Sequence, residues 1–267
     1  MTPDDPNMTA YFRRLDDSHF TATDAVQGAW NTDEQHIAPA LGLLTHVLER
    51  DHGARHGHPL TMSRVSFDIL GVLPIDTVEI TTRVIRPGRT IELAEATLSH
   101  GGRPAVIARA WFSRDIDTAA VAGTALVRMP EPSTLPAWSA AEVWPGRFVT
   151  TVEIRRDETE PGRARFWLRP GIPLLLDEPV SPTARLLGVV DIANGITPRV
   201  APGDVHFPNL DLTAHLFRAP GDGWIGFDTT VSFGPHGHGL THSILHDAAG
   251  PLGTLQQTLT VRPRGAA

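Results

Sequence analysis

Between residues 37 and 48 the apolar side chains Ile37, Leu41, Leu44 and Leu48 recur every three or four positions, the spacing of one buried helical face. The pattern predicts a helix, with Pro39 tolerated in its first turn. After it the period drops to two. Residues 61–70, 77–86, 91–99 and 105–113 alternate as strands, with Pro87-Gly88 separating the second from the third and Gly101-Gly102 giving a tight hairpin signal. A weaker alternation through Tyr11, Phe12, Phe20 and Thr21 supplies a first strand within residues 1–30. Residues 115–145, with Pro130, Pro132 and Pro136 among Ala, Ser and Thr, keep no period and read as a linker. A second series follows. Residues 148–155 and 163–168 form a hairpin turning at 158–162, and Ala184, Leu187, Gly188, Asp191 and Ile192 share a helical face within 182–195. Residues 205–217, 224–231, 239–246 and 252–261 supply strands.

The end of the chain resembles its middle. Gly88–Phe112 lies over Gly237–Val261 without a gap, strand on strand, with Gly101 on Gly250. A period this long excludes solenoid repeats and points to one fold duplicated within the chain. The expected organisation is a first unit over 1–115, a linker over 116–145 and a second unit over 146–267. The fold class is α+β, because strand–helix alternation for a parallel sheet is missing. One helix wrapped by a curved antiparallel sheet resembles the hotdog architecture, and two such units in tandem make a double hotdog.

Composition narrows the function. At 267 residues and 41% hydrophobic content the chain can bury one large core or two smaller ones. A formal charge of -7, with both signs interspersed, leaves no cationic stripe for nucleic acid. The absence of Cys removes disulfides, thiolate metal sites and Cys nucleophiles together. No apolar run is long enough for a membrane span, and the N-terminus is acidic, so a cytoplasmic protein is expected.

Three segments carry a family resemblance: NLDLTAHLFRAP (209–220), the run from Trp224 through Ser232 to Gly250, and the strand ending Gln257-Thr258-Leu259-Thr260-Val261-Arg262. They resemble the second half of the acyl-CoA thioesterase II family, double-hotdog enzymes that hydrolyse fatty acyl-CoA. The resemblance implies an acyl-CoA substrate, a place in lipid metabolism, no cofactor and a homo-oligomer. Carried over by residue, the family's water-activating groups fall on Asp211, Ser232 and Gln257, with Ser232 where Thr is usual. A carboxylate can act as general base while a hydroxyl and an amide orient the water. Oxyanion stabilisation would come from a helix N-terminus, around Ile37 or Thr183. The ungapped overlay sets Met62, Arg83 and Ala108 against those three residues, none able to activate water, so the first unit is expected to be a scaffold. The helix entry WNTDEQHIAPALGLL lacks the Gly-Gly-Gln that often opens the first helix of the family.

Other readings compete. Asp191, on the second helix, is the fallback base, since other hotdog thioesterases place their carboxylate there. Asn194, one turn on, reads as a helix C-terminal residue. His52, His56 and His58, and the later group His236, His238, His242 and His246, invite a metal, but neither group has a HExxH or a two-His-one-carboxylate pattern, so no metal is expected. No G-x-S-x-G elbow and no strand–GxGxxG–helix order occur. VAPGDVHFPN (200–209) holds the residue types of the hotdog enoyl-CoA hydratases in scrambled order. A non-catalytic acyl-CoA binding or assembly protein is the alternative from a different class.

Overall fold

The computed structural model of the chain describes residues 9–53 and 59–265, so His56 and His58 lie outside the described residues. The first half contains β1 (Phe12–Arg14), β2 (His19–Ala22), the helix α1 (Ile37–Gly53), β3 (Leu60–Ile69), β4 (Thr77–Arg86), β5 (Ile91–His100) and β6 (Arg103–Arg114). The second contains β7 (Ala137–Trp138), β8 (Val152–Glu160), β9 (Arg163–Pro170), the helices α2 (Pro182–Leu187) and α3 (Ala193–Ile196), and β10 (Val205–His206). It ends with β11 (Asp211–Leu216), β12 (Ile225–Phe233), β13 (His238–Asp247), β14 (Gly250–Thr260) and β15 (Arg262–Pro263). Thirteen strands form one sheet in the order β1-β2-β4-β5-β6-β3-β11-β14-β13-β12-β9-β8-β7, and β10 pairs with β15. The neighbouring strands are antiparallel throughout, so β3 and β11 join the halves edge to edge.

The halves repeat ladder by ladder. Ile80 pairs with Leu98 as Phe227 pairs with Leu245, and Ala94 pairs with Ala110 as Thr241 pairs with Gln257. Likewise Ser66 pairs with Arg109 as Thr213 pairs with Gln256. Each step displaces a residue by 147 positions, Ser66 to Thr213. The ungapped overlay needs correcting by two residues. The hairpin turns are Gly101-Gly102 and Ala248-Ala249, so Gly101 does not fall on Gly250, and the ladder counterparts of Asp211, Ser232 and Gln257 are Arg64, Arg86 (after a bulge at Ile85) and Ala110. A slip of two preserves which side chains face inward, so hydrophobic alternation does not detect it.

Helix α1 packs on β3 to β6 along one side and on α2 along another. Ala38, Ala40, Leu41, Leu43, Leu44, Val47 and Leu48 are therefore all buried, a wider apolar face than one stripe. The two helices cross at glycines. A Cβ on Gly42 would stand 2.6 Å from the Gly188 Cα and 2.8 Å from the Ala184 carbonyl oxygen.

The second helical stretch is not continuous. Ser181 caps α2 by accepting from the Ala184 N–H, and the helix ends at Gly188. A 3-10 turn, Val190–Ile192, then leads into α3. Gly188 followed by the β-branched pair Val189-Val190 is a weak helical sequence, and the contact with Gly42 holds the break in place. The strand expected over 205–217 is also divided, with Pro208 between β10 and β11.

The helix crossing yields a stability test. Gly42→Ala should lower stability by about 1–3 kcal/mol, because the methyl meets backbone that cannot yield. Gly203→Ala, with open space around its Cβ, should leave the melting temperature unchanged. Thermal unfolding of both variants checks this; equal melting temperatures would refute the close crossing.

Candidate functional site

Asp191 occupies the 3-10 turn between α2 and α3 and borders a cavity of about 300 Å³. Both halves build that cavity. Gln35, His36 and Ile37, at the start of α1, face Asp191 and Asn209, and Trp30, Leu73, Trp144 and Val149 add apolar wall. The indoles of Trp30 and Trp144 meet edge to face, with centroids 4.7 Å apart. The Trp144 Nε1–H is satisfied by the Gly195 carbonyl at 2.8 Å.

Two amides hold one oxygen of the carboxylate. Asp191 Oδ1 accepts from Asn209 Nδ2 at 2.6 Å and from Gln257 Nε2 at 3.2 Å. Asp191 Oδ2 is 3.8 Å from His36 Nδ1. Gln257 gets there by alternation: Leu255, Gln257 and Leu259 point inward from β14, while Gln256 is exposed. Asn209 precedes β11 and bridges to Leu259, which sets its amide beside the same carboxylate. Burial pushes the Asp191 carboxyl up to about 7, although Asn209 and Gln257 both act to lower it. Burial likewise pushes His36 down to about 3, so its imidazole is neutral.

Of the residues expected from sequence, the structure brings Gln257 and the fallback Asp191 together. It does not bring Asp211 or Ser232 to them. On β11 the buried residues are Leu212, Ala214 and Leu216, and Asp211 belongs to the opposite face, where its Oδ1 accepts from the Thr258 N–H at 2.7 Å. On β12 the inward row includes Phe227, Thr229 and Val231, all buried, which leaves Ser232 exposed on the outer face. The hydroxyl nearest to Gln257 in the ladder is Thr241, its cross-strand partner, buried like Gln257. Asn194 faces the cavity too, its Oδ1 accepting from the Gly195 N–H.

Sequence reasoning gave no role to Asn209, Thr241 or His36. Asn209 begins one of the segments that carry the resemblance, and His36 is the polar residue immediately before an apolar helix, so both had a local signal. Thr241 had none beyond its place in an alternating strand. Of the His clusters, His52 and His246 are buried: His52 pairs with Glu92, and the two ring nitrogens of His246 lie 3.2 and 3.1 Å from the carbonyl oxygens of Ile244 and Val127. Among the described residues no three His, Asp or Glu side chains converge as metal ligands.

The start of α2 is the matching end of the other helix, and it is closed. Ser181 caps it and donates its hydroxyl to Glu49 Oε2, so a side chain of α1 fills the position. Asp191 lies three residues after Gly188. The residue three after Gly42 is Thr45, whose hydroxyl donates to the Leu41 carbonyl.

Residues 124–261 match the family model of the acyl-CoA thioesterase C-terminal domain, and residues 26–113 match that of the N-terminal domain. The chain belongs to the acyl-CoA thioesterase family. Among solved structures it is similar to an acyl-CoA thioesterase II, TesB2, from Mycobacterium marinum, with 16% identity, 95% of this chain and 96% of that one covered, and a TM-score of 0.65. A protein of unknown function with a hot dog fold from Alicyclobacillus acidocaldarius shares 15% identity, with 98% and 99% covered and a TM-score of 0.73. A candidate thioesterase from Novosphingobium aromaticivorans shares 19%, with 94% and 98% covered and a TM-score of 0.72. At these identities the likeness shows the hotdog fold. No curated protein matches the chain.

For this thioesterase-family chain the buried Asp191 implies a pH-dependent cost. A carboxyl raised from 3.8 to about 7 favours the folded state fully below the unfolded value and loses that contribution as pH rises through about 7. Asp191→Asn removes this dependence. The variant should melt close to the wild type near pH 4 and above it at pH 8, with the gap widening between. A gap that is constant with pH would show that Asp191 is not desolvated.

Proposed function

We propose that this chain hydrolyses acyl-CoA thioesters to free acid and CoA, with Asp191 as general base and Gln257 as the residue that orients it. The observation that carries the reading is the environment of Asp191: a desolvated carboxylate, one oxygen held by two amides, the other aimed across an apolar cavity at the start of α1. A base that titrates near neutral pH is well matched to proton abstraction there.

The chemistry balances on that geometry. Asp191 takes a proton from water as the water oxygen bonds to the acyl carbonyl carbon. The carbonyl electron pair moves onto oxygen, and the positive end of α1 favours the charge that develops. Collapse of the tetrahedral intermediate breaks the carbon–sulfur bond, the proton held by Asp191 goes to the thiolate, and the acid leaves. Asn209 and Gln257 keep Oδ1 occupied, so Oδ2 is the oxygen that meets water.

The register-matched halves support a double hotdog, with 1–115 and 146–267 as its units and 116–145 as the connection. The first unit supplies the start of α1 and much of the wall, the second supplies the base. On this reading there is one active site per chain. A cavity of this size, at the lower end of the range for small-molecule pockets, suits a short or compact acyl group. A second reading is favoured by His36 facing Asp191, since a His–carboxylate pair across a cavity could instead add water to an enoyl thioester. Assaying an enoyl-CoA for hydration beside acyl-CoA for thiol release separates the two.

Kinetics with a panel of acyl-CoA esters test the assignment. Asp191→Asn should reduce turnover by roughly 10²- to 10⁴-fold with the fold intact. Gln257→Ala should cost less, and Ser232→Ala should behave as wild type. The base must be ionised to act, so kcat/KM should rise with pH to a plateau above about 7. Wild-type turnover in Asp191→Asn would remove Asp191 from the mechanism. Binding of acyl-CoA by the wild type without thiol release would replace hydrolysis by the non-catalytic reading.

A further inference from the structure

We propose that His36 is a second catalytic residue, whose Nε2–H donates a hydrogen bond to the acyl carbonyl oxygen at the start of α1. The inference rests on the hydrolysis reading and names the residue that polarises the carbonyl.

Three observations lead to it. First, His36 Nδ1 accepts the Ala38 N–H at 3.2 Å, which puts the ring proton on Nε2. The imidazole thus caps its own helix through one nitrogen and is left with one donor. Second, that donor has no partner among the described residues, and the atom is not fully enclosed by them. The side chain is only 11% exposed and His36 lines the cavity, so the cavity is the open space beside the ring. Third, the ring is fixed. Phe148 lies against it with centroids 4.2 Å apart and planes 33° from parallel.

Burial suits the role. A His⁺ would form an ion pair with Asp191 and hold it ionised at low pH, whereas the His36 pKa, lowered to about 3, keeps the ring neutral throughout the range in which Asp191 titrates. A neutral donor gains strength as negative charge grows on the carbonyl oxygen and asks for no proton transfer. Asp191 and His36 then divide the reaction, one on the water and one on the carbonyl, from opposite halves of the chain.

The test separates the two residues. The probe is an acyl-CoA analogue with a methylene in place of the thioester sulfur, a ketone the enzyme cannot cleave, and the readout is the infrared carbonyl stretch of the bound analogue. Wild type and Asp191→Asn should both lower that frequency relative to His36→Ala. On a true acyl-CoA, His36→Ala should lose about 10²- to 10³-fold in kcat with little change in KM. His36→Gln, which restores an N–H, should recover part of both, which a purely structural role would not allow. An unchanged carbonyl frequency and unchanged kcat in His36→Ala would overturn the proposal while leaving Asp191 hydrolysis standing. If His36→Ala does not fold, the proposal is decided by His36→Gln: a carbonyl stretch lowered relative to the free ketone, partly or fully to the wild-type value, supports it, and a stretch identical to that of the free ketone overturns it. If instead the wild type releases no thiol, the hydrolysis reading fails, and the carbonyl frequency still reports whether His36 binds the oxygen.

Discussion

The pairing of β3 with β11 is the constraint on which the rest of the structure depends. Ser66 lies opposite Thr213, and these are also counterparts in the two halves, so an approximate two-fold axis passes through that pair. Two consequences follow from it. The sheet becomes continuous across both halves, and the helices on its inner side are forced to cross. That crossing brings the turn carrying Asp191 against the first turn of α1. Without the central ladder the carboxylate and the helix start would belong to separate bodies, and there would be no shared cavity to desolvate the acid.

Desolvation then sets the chemistry. An Asp in water titrates near 3.8; in this cavity it titrates near 7, equivalent to roughly 4 kcal/mol in favour of the neutral form. That figure is net of the two amide donors on Oδ1, which act against burial and do not reverse it. The protein therefore carries an acid that is costly to ionise, and the proposed hydrolysis would draw on that cost as reactivity. Glu49, a half-buried carboxylate whose pKa burial also raises, has its oxygen engaged differently. It lies against the Ser181 cap of α2, where its oxygen is taken up within the fold.

Much of the fold was legible in the sequence, because alternation and helical spacing follow directly from which side chains face the core. Thr77–Arg86 is a strand at the limits its pattern gives, and the repeat is present in every central ladder. Two features escaped for physical reasons. A slip of two residues leaves the inward set of a strand unchanged, so the overlay could not choose between offsets, and the break after Gly188 depends on a contact with Gly42 that no local pattern contains. The site divided along the same line. Gln257 is an amide in an otherwise apolar inward row, so its sequence already marked it as a buried group in need of partners. Asp211 and Ser232 rested on resemblance alone, and the facing of their strands is what separates them from Gln257.

The asymmetry of the halves follows from the same rows of inward positions. Where the second half has Thr241 and Gln257, the first half has Ala94 and Ala110, in the same ladder. Alanine fills those places without asking for a hydrogen-bond partner, which a threonine or glutamine buried beside α1 would need. The first half is thereby free to pack Leu41, Leu44 and Leu48 tightly and to hold α1 rigid. That packing matters to the role proposed for His36, because the first turn of α1 positions its ring. The half without the polar row is for that reason part of the proposed site: its packing sets the start of α1 against the other half's carboxylate.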